Sequence, residues 1–273
     1  MKCPLLRIKR IKLAARLESL MNNLAGPVTG FALLVLIWQI SALHSGTLPA
    51  PADVLATSLQ AFASPFSNPG EPSGGTGWAM LITLARMSIA LAIAISIGLP
   101  LGVALGRFAW LSAIATPLIN LFRHVSPLAW LPLGLLVFSG KPQAAVATVC
   151  ICCIWPLILQ TAEGIRRVPT DYLTVARTLA LSEWKTFRVI VLPCAMPYVV
   201  NALRHAASAA WVVVVAAEMF INDKGLGAWL RTALAEQNSR HVLTAIVVVG
   251  LTGWILDLPL LALKRRITRT STS

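Results

Sequence analysis

Five residues that can donate hydrogen bonds to an anion, Arg86, Arg123, His124, Arg204 and His205, stand within or beside apolar stretches of this sequence. A guanidinium or imidazole at membrane depth is costly unless it is paired or faces water. Residues of these types therefore mark either a path for an anion or an internal ion pair. Asp257 is a partner of the second kind, and an arginine near the end of a span can instead extend its head to the interface. Arg123 differs from the others. It precedes His124, Val125, Ser126 and Pro127, and the proline biases Ser126 away from helix, so Arg123 is expected at a helix break at membrane depth.

Other chemistry is missing from the pattern. The histidines at 44, 124, 205 and 241 are scattered, and no metalloprotease or nucleophile-elbow spacing occurs. Gly134 with Gly140-Lys141 imitates a phosphate-binding loop, but the spacing is one residue too long and Pro142 stands where a Ser or Thr hydroxyl is required. Cys150, Cys152 and Cys153 lie in an apolar run with no His or carboxylate to complete a ligand set, and they read as small packing residues; Cys3 and Cys194 are assigned no chemistry either. No catalytic residue, metal or cofactor is expected in the chain.

The elements that carry these residues belong to a membrane protein. Hydrophobic residues make up 57% of the chain and charged ones 12%, with a mean hydropathy of +0.75, whereas soluble domains are about a quarter charged. A net charge of +13 would suit nucleic acid, but the basic residues gather at the ends of apolar runs, which argues against that partner. The expected fold is all-α, with six membrane-spanning helices near 27–43, 79–106 (charge-free from Met87), 108–140, 142–162, 192–220 and 242–263, the third broken around Arg123. In the second, Ala90, Ala94, Gly98, Gly102 and Gly106 recur every fourth residue and present a face that another backbone can approach closely; Pro100 is expected to kink it.

Between the spans lie a polar segment at 44–77 with a short helix at 54–62, and a loop at 221–240. Residues 1–26 are basic and amphipathic, suited to an anionic membrane surface, and 264–273 form a basic tail. Lys and Arg are concentrated in both termini, at Arg107 and in a polar island at 168–193, against only Lys141, Lys224, Arg231 and Arg240 on the other side. Both termini and the island are therefore expected in the cytoplasm. Glu218 then lies near the external mouth, where it would repel an anion. It is assigned a structural role, with Lys224 as a partner, or contact with an external protein. No span repeats another, so any symmetry must come from a second copy of the chain or a homologous one.

The island, VPTDYLTVARTLALSEWKTFRVIVLP, combines charges with Leu173, Val175, Ala176 and Leu179 at helical spacing. Thr170 and Ser182 read as N-caps, each followed by a carboxylate that suits the helix dipole, so two short helices joined near Ala180 and Leu181 are expected.

Ala176, Ile190, Leu192 and Pro193 stand at the spacing of the cytoplasmic Glu-Ala-Ala signature of ABC importer permeases, with Thr174 in place of the Glu, Val175 of the first Ala and Ala180 of the Gly. The resemblance extends over nearly the whole chain, through Leu48-Pro49 with Pro51, Ser126-Pro127-Leu128-Ala129-Trp130, and Ala210-Trp211 to Glu218-Met219-Phe220 ahead of Gly225-Leu226-Gly227. The sequence resembles the nitrate, sulfonate, taurine and bicarbonate group of permeases, and its nitrate-type branch most. The resemblance implies an inner-membrane subunit that works as a homodimer or beside a homologous permease. It also implies partner cytoplasmic ATPase subunits that bind ATP-Mg, and an external substrate-binding protein. It makes the island the element seated in the ATPase, with Leu173, Ala176, Arg177 and Leu179 as contacts and Ala180 at the turn. The anion path is assigned to Arg123, His124, Arg86 and Arg204.

Overall fold

The computed structural model describes residues 25–44, 46, 48–66, 75–221 and 223–270; residues 1–24, most of the basic amphipathic segment, lie outside the described residues. Every regular element among the described residues is helical. In chain order they are α1 (Ala25–His44), α2 (Pro51–Ala63), α3 (Thr76–Arg107), α4 (Ala109–Phe122), a 3-10 turn (Pro127–Ala129), α5 (Trp130–Val137), α6 (Lys141–Arg166), α7 (Thr170–Thr178), α8 (Glu183–Thr186), a π turn (Phe187–Val191), α9 (Leu192–Ile221), α10 (Leu226–Ala235) and α11 (Ser239–Thr270).

Among the described residues, α1, α3, α6, the run Glu183–Ile221 and α11 are long and apolar enough to cross a membrane. The third passage is made in two pieces. Gly98, Gly102 and Gly106 of α3 lie against Leu157, Thr161 and Ile165 of α6, so the two helices run parallel. The chain between Arg107 and Lys141 must then return the full depth of the bundle. It does so through α4 and α5, of 14 and 8 residues, which rise only about 21 and 12 Å and together match a hydrocarbon core of about 30 Å. The break falls at Arg123 to Ser126, ahead of Pro127, as the proline dictates.

The stripe of small residues on α3 does what its spacing requires. Ala90 and Ala94 are fully buried, and a Cβ added at Gly102 would stand 2.6 Å from Thr161 Cβ and 2.9 Å from the carbonyl of Ile158. Pro100 lies inside the helix, which continues from Thr76 to Arg107. Helix α9 runs antiparallel to α6, with Cys153 Sγ donating to Ala206 O at 3.3 Å and Asn201 Nδ2 to Gln160 Oε1 at 3.0 Å. Helix α11 runs antiparallel to α9, with Trp211 Nε1 on Val249 O at 3.2 Å. These contacts put α7, α8 and the end of α11 at one end of the bundle, and α2 and α10 at the other.

Two expectations need correction. Residues 221–240 are not a loop: α10 folds back against α9 and α11, burying Leu226, Ala228 and Ala233. Its glycines hid it from the sequence, yet Gly225 supplies a φ of +131° for the reversal, and Gly227 lets the backbone approach Val215. The fifth span also starts earlier, since α8 passes into α9 through the π turn. Pro193 has no N–H to give to Val189, and the wide turn before it, with Leu192 N–H on Phe187 O, lets the helix continue.

Gly102→Val is expected to lower the stability of the detergent-purified protein by about 2 kcal/mol through overpacking. Gly250→Val, where nothing lies within 4 Å of the added Cβ, is expected to change it by less than about 0.5 kcal/mol. Equal melting midpoints for the two variants would contradict the close α3 to α6 packing.

Candidate functional site

At the α7–α8 end, the turn between the two short helices is a complete Schellman arrangement. Leu181 N–H bonds to Ala176 O and Ala180 N–H to Arg177 O, each at 3.0 Å, and Ala180 takes a φ of +48°. That conformation costs an alanine about 1 kcal/mol relative to glycine. The chain takes a left-handed turn at the position where the signature has Gly, although the residue here is Ala. Ser182 caps α8, its Oγ accepting from Lys185 N–H at 3.4 Å, but Thr170 is the first residue of α7 and Pro169 is its N-cap.

The faces of α7 are not those the spacing suggested. Ala176 is only 2% exposed and Leu173 is half-buried, so both turn toward the protein, whereas Tyr172 (53%), Val175 (54%) and Leu179 (64%) form an exposed apolar stripe. Arg177 is exposed beside it, and Trp184, stacked on Phe187, extends it onto α8. Arg107 at the end of α3 reaches Glu183 Oε2 at 2.7 Å, and Arg166 donates to Leu105 O and to Ser112 Oγ. The first bond braces α8 against α3, and the other two tie the end of α6 to α3 and α4.

At the opposite end the structure assembles a buried ion cluster. Glu218, fully buried in α9, accepts from Arg86 Nη1 at 2.9 Å, from Thr83 Oγ1 at 2.8 Å and from Gly227 N–H at 3.1 Å. Arg86 also pairs with Asp223 and donates to the carbonyl of Lys224 at 2.6 Å. Lys224 thus contributes its backbone to the cluster, and Arg86 is the cation that neutralises Glu218. Arg204 is likewise committed, in a two-bond pair with Asp257 of α11 at 2.7 and 2.6 Å. Arg86 and Arg204 are therefore ion-paired arginines, each with its charge balanced inside the chain.

Arg123 is placed differently. It caps α4 at the break and borders a cavity of about 390 Å³ that is also lined by His205 of α9 and by Gln160 and Cys152 of α6. Trp130, Trp155 and Pro156 form much of the wall, and Phe122 stacks on Trp155 with ring centroids 6.3 Å apart. His124, adjacent in sequence, turns its Nδ1 to the carbonyl of Asn120 and does not line the cavity. Of the residues assigned to an anion path, Arg123 alone meets it there, and His205 joins it.

Comparison with known proteins places this geometry. The pattern of the binding-protein-dependent transport system inner membrane component matches residues 94–270. The chain belongs to this family. The nitrate import permease protein NrtB of Synechococcus elongatus is 37% identical to this permease, over 81% of each chain. The bicarbonate transport system permease protein CmpB of the same species is 32% identical, over 93% of this chain and 91% of its own. Among solved structures, the MetNI methionine ABC transporter in inward-facing conformations aligns with a TM-score of 0.61 at 19% identity, over 68% of this permease and 93% of that chain, a likeness of fold.

Sequence reasoning missed Thr83, Asp223 and the Arg107 to Glu183 bridge, because these partners lie far apart in the chain and only the packed helices bring them together. Replacing Glu218 of the permease by alanine leaves Arg86, Thr83 and Gly227 N–H short of a partner in the interior. Glu218→Ala is expected to cost about 3–5 kcal/mol, while Lys224→Ala, which keeps its carbonyl, is expected to cost less than about 0.5 kcal/mol. Thermal melting in detergent checks both; a Lys224→Ala loss as large as that of Glu218→Ala would contradict the cluster.

Proposed function

We propose that this permease carries a small oxyanion, nitrate or nitrite foremost, through the inner membrane in an importer driven by separate cytoplasmic ATPase subunits. The observation that carries this reading is the α7–α8 element: a helix pair with a Schellman turn at the signature's glycine position, an apolar stripe exposed outward, and Arg107 bracing it to the bundle. An amphipathic helix whose larger apolar residues face away from its own protein is suited to a groove on a partner. Tyr172, Val175, Leu179 and Trp184, with Arg177 beside them, form that contact; Ala176 and Leu173 seat the helix on the permease itself. ATP-Mg belongs to the partner. The island lies on the basic side of the membrane with both termini, and the ion cluster and α10 face an external binding protein.

Nitrate comes first because the sequence resembles the nitrate-type branch and NrtB is 37% identical. Bicarbonate is the second reading, favoured by the longer match to CmpB; alkyl sulfonates and taurine would use the same role with a bulkier anion. Two permease chains, identical or homologous, form the path. An ion-driven carrier would have no use for the outward stripe on α7.

Val175→Asp and Leu179→Asp are expected to reduce the ATPase chains retained on the purified permease by at least about tenfold, equivalent to about 1.4 kcal/mol. Mass spectrometry of the detergent-extracted complex checks this, and full retention in both variants would contradict it. In whole cells, uptake of labelled nitrate should be displaced by nitrite before bicarbonate or taurine.

A further inference from the structure

We infer that the cavity between the broken third passage and helices α6 and α9 is an intramembrane station for one planar, monovalent oxyanion, held by Arg123, His205 and Gln160. The inference rests on the oxyanion reading above and adds a place where the anion stops.

Charge is the first ground. The Arg123 guanidinium makes no hydrogen bond or ion pair among the described residues, its backbone N–H alone being bonded, to Ile119 O at 2.9 Å, and no carboxylate lines the cavity. The other two arginines within the apolar runs are both neutralised, Arg86 by Glu218 and Asp223, Arg204 by Asp257. Arg204 and His205 are neighbours on α9, yet they turn to different sides: Arg204 meets α11, and His205 meets the cavity. The one fixed charge bordering the cavity is therefore positive, in a wall of Trp130, Trp155, Pro127 and Leu159 that strengthens its field.

Donor geometry is the second ground. Asn201 Nδ2 donates to Gln160 Oε1 at 3.0 Å, and Asn201 Oδ1 in turn accepts from Lys264 Nζ at 2.9 Å. This relay fixes the Gln160 amide with its oxygen occupied and its Nε2 hydrogens free to donate. The His205 ring likewise makes no hydrogen bond among the described residues and can present an N–H in either protonation state. Arg123 adds a planar fork whose parallel N–H bonds match two oxygens of a trigonal anion.

Size sets the character of the site. At about 390 Å³ the cavity accommodates the anion with several waters, each of which takes about 30 Å³. A partly hydrated anion is held loosely, which a transport path needs, because a site that binds too well does not release.

The test is uptake of labelled nitrate and bicarbonate by the complex of permease, ATPase and binding protein in proteoliposomes, with assembly followed by yield on purification. Arg123→Leu is expected to lower the initial rate by at least about tenfold, and His205→Leu by about threefold, as losses of one charged and one neutral hydrogen bond. Arg123→Lys, which keeps the charge without the fork, should recover part of the loss. Wild-type rates in Arg123→Leu and His205→Leu would overturn the station. Should Arg123→Leu fail to assemble, His205→Leu, at an exposed position, decides by the same criterion. A wild-type complex that carries taurine and neither trigonal anion would overturn the nitrate and bicarbonate reading itself, and is told apart because the failure then precedes any substitution.

Discussion

The close parallel approach of α3 and α6 sets the rest of the structure. Between helices in lipid no hydrophobic gain distinguishes contact with a neighbour from contact with acyl chains, so dispersion contacts and exclusion of lipid must hold the pair. Gly98, Gly102 and Gly106 let the α6 side chains Leu157, Thr161 and Ile165 sit directly on the α3 backbone. Two parallel neighbours joined in sequence require a return passage, and that passage is the broken pair α4 and α5. The break that frees Arg123 from a regular helix is thus a consequence of the topology as well as of Pro127.

Within that frame, the treatment of charge separates structure from transport. Burying a guanidinium is tolerable when a carboxylate and further acceptors complete it. Arg86 meets that condition with Glu218, Asp223 and a backbone carbonyl, and Arg204 meets it with Asp257. The first cluster pins α3, α9 and α10 together at one end; Arg107 with Glu183 and Arg166 with Ser112 hold the other. Arg123 borders its cavity without a protein carboxylate in the lining, which is the ground for the station proposed there.

Much of this was legible in the residues. The four-residue recurrence from Ala90 to Gly106, the helix ahead of the second span, the break before Pro127 and the turn at Ala180 each follow from a local rule, and local rules are what a single sequence displays. Long-range pairing was not legible: Arg86 and Glu218 stand 132 positions apart, and nothing in the sequence chooses between Lys224 and Arg86 as the partner of Glu218. The face of α7 was misjudged for a different reason. Apolar spacing locates a stripe but not its direction, and here small Ala176 lies inward while the larger Tyr172, Val175 and Leu179 face outward. Helix α10 was hidden by glycines that normally signal a loop but here permit a tight reversal.

As the proposed ATPase contact, the exposed stripe on α7 has a function only if transport draws its energy from ATP. Proteoliposomes holding the permease, its ATPase and its binding protein, loaded with ATP and treated with ionophores that collapse proton and sodium gradients, measure this directly. Uptake that continues at its full rate with ATP and stops without it is the expected result. Uptake that follows the ion gradients and ignores ATP would contradict it.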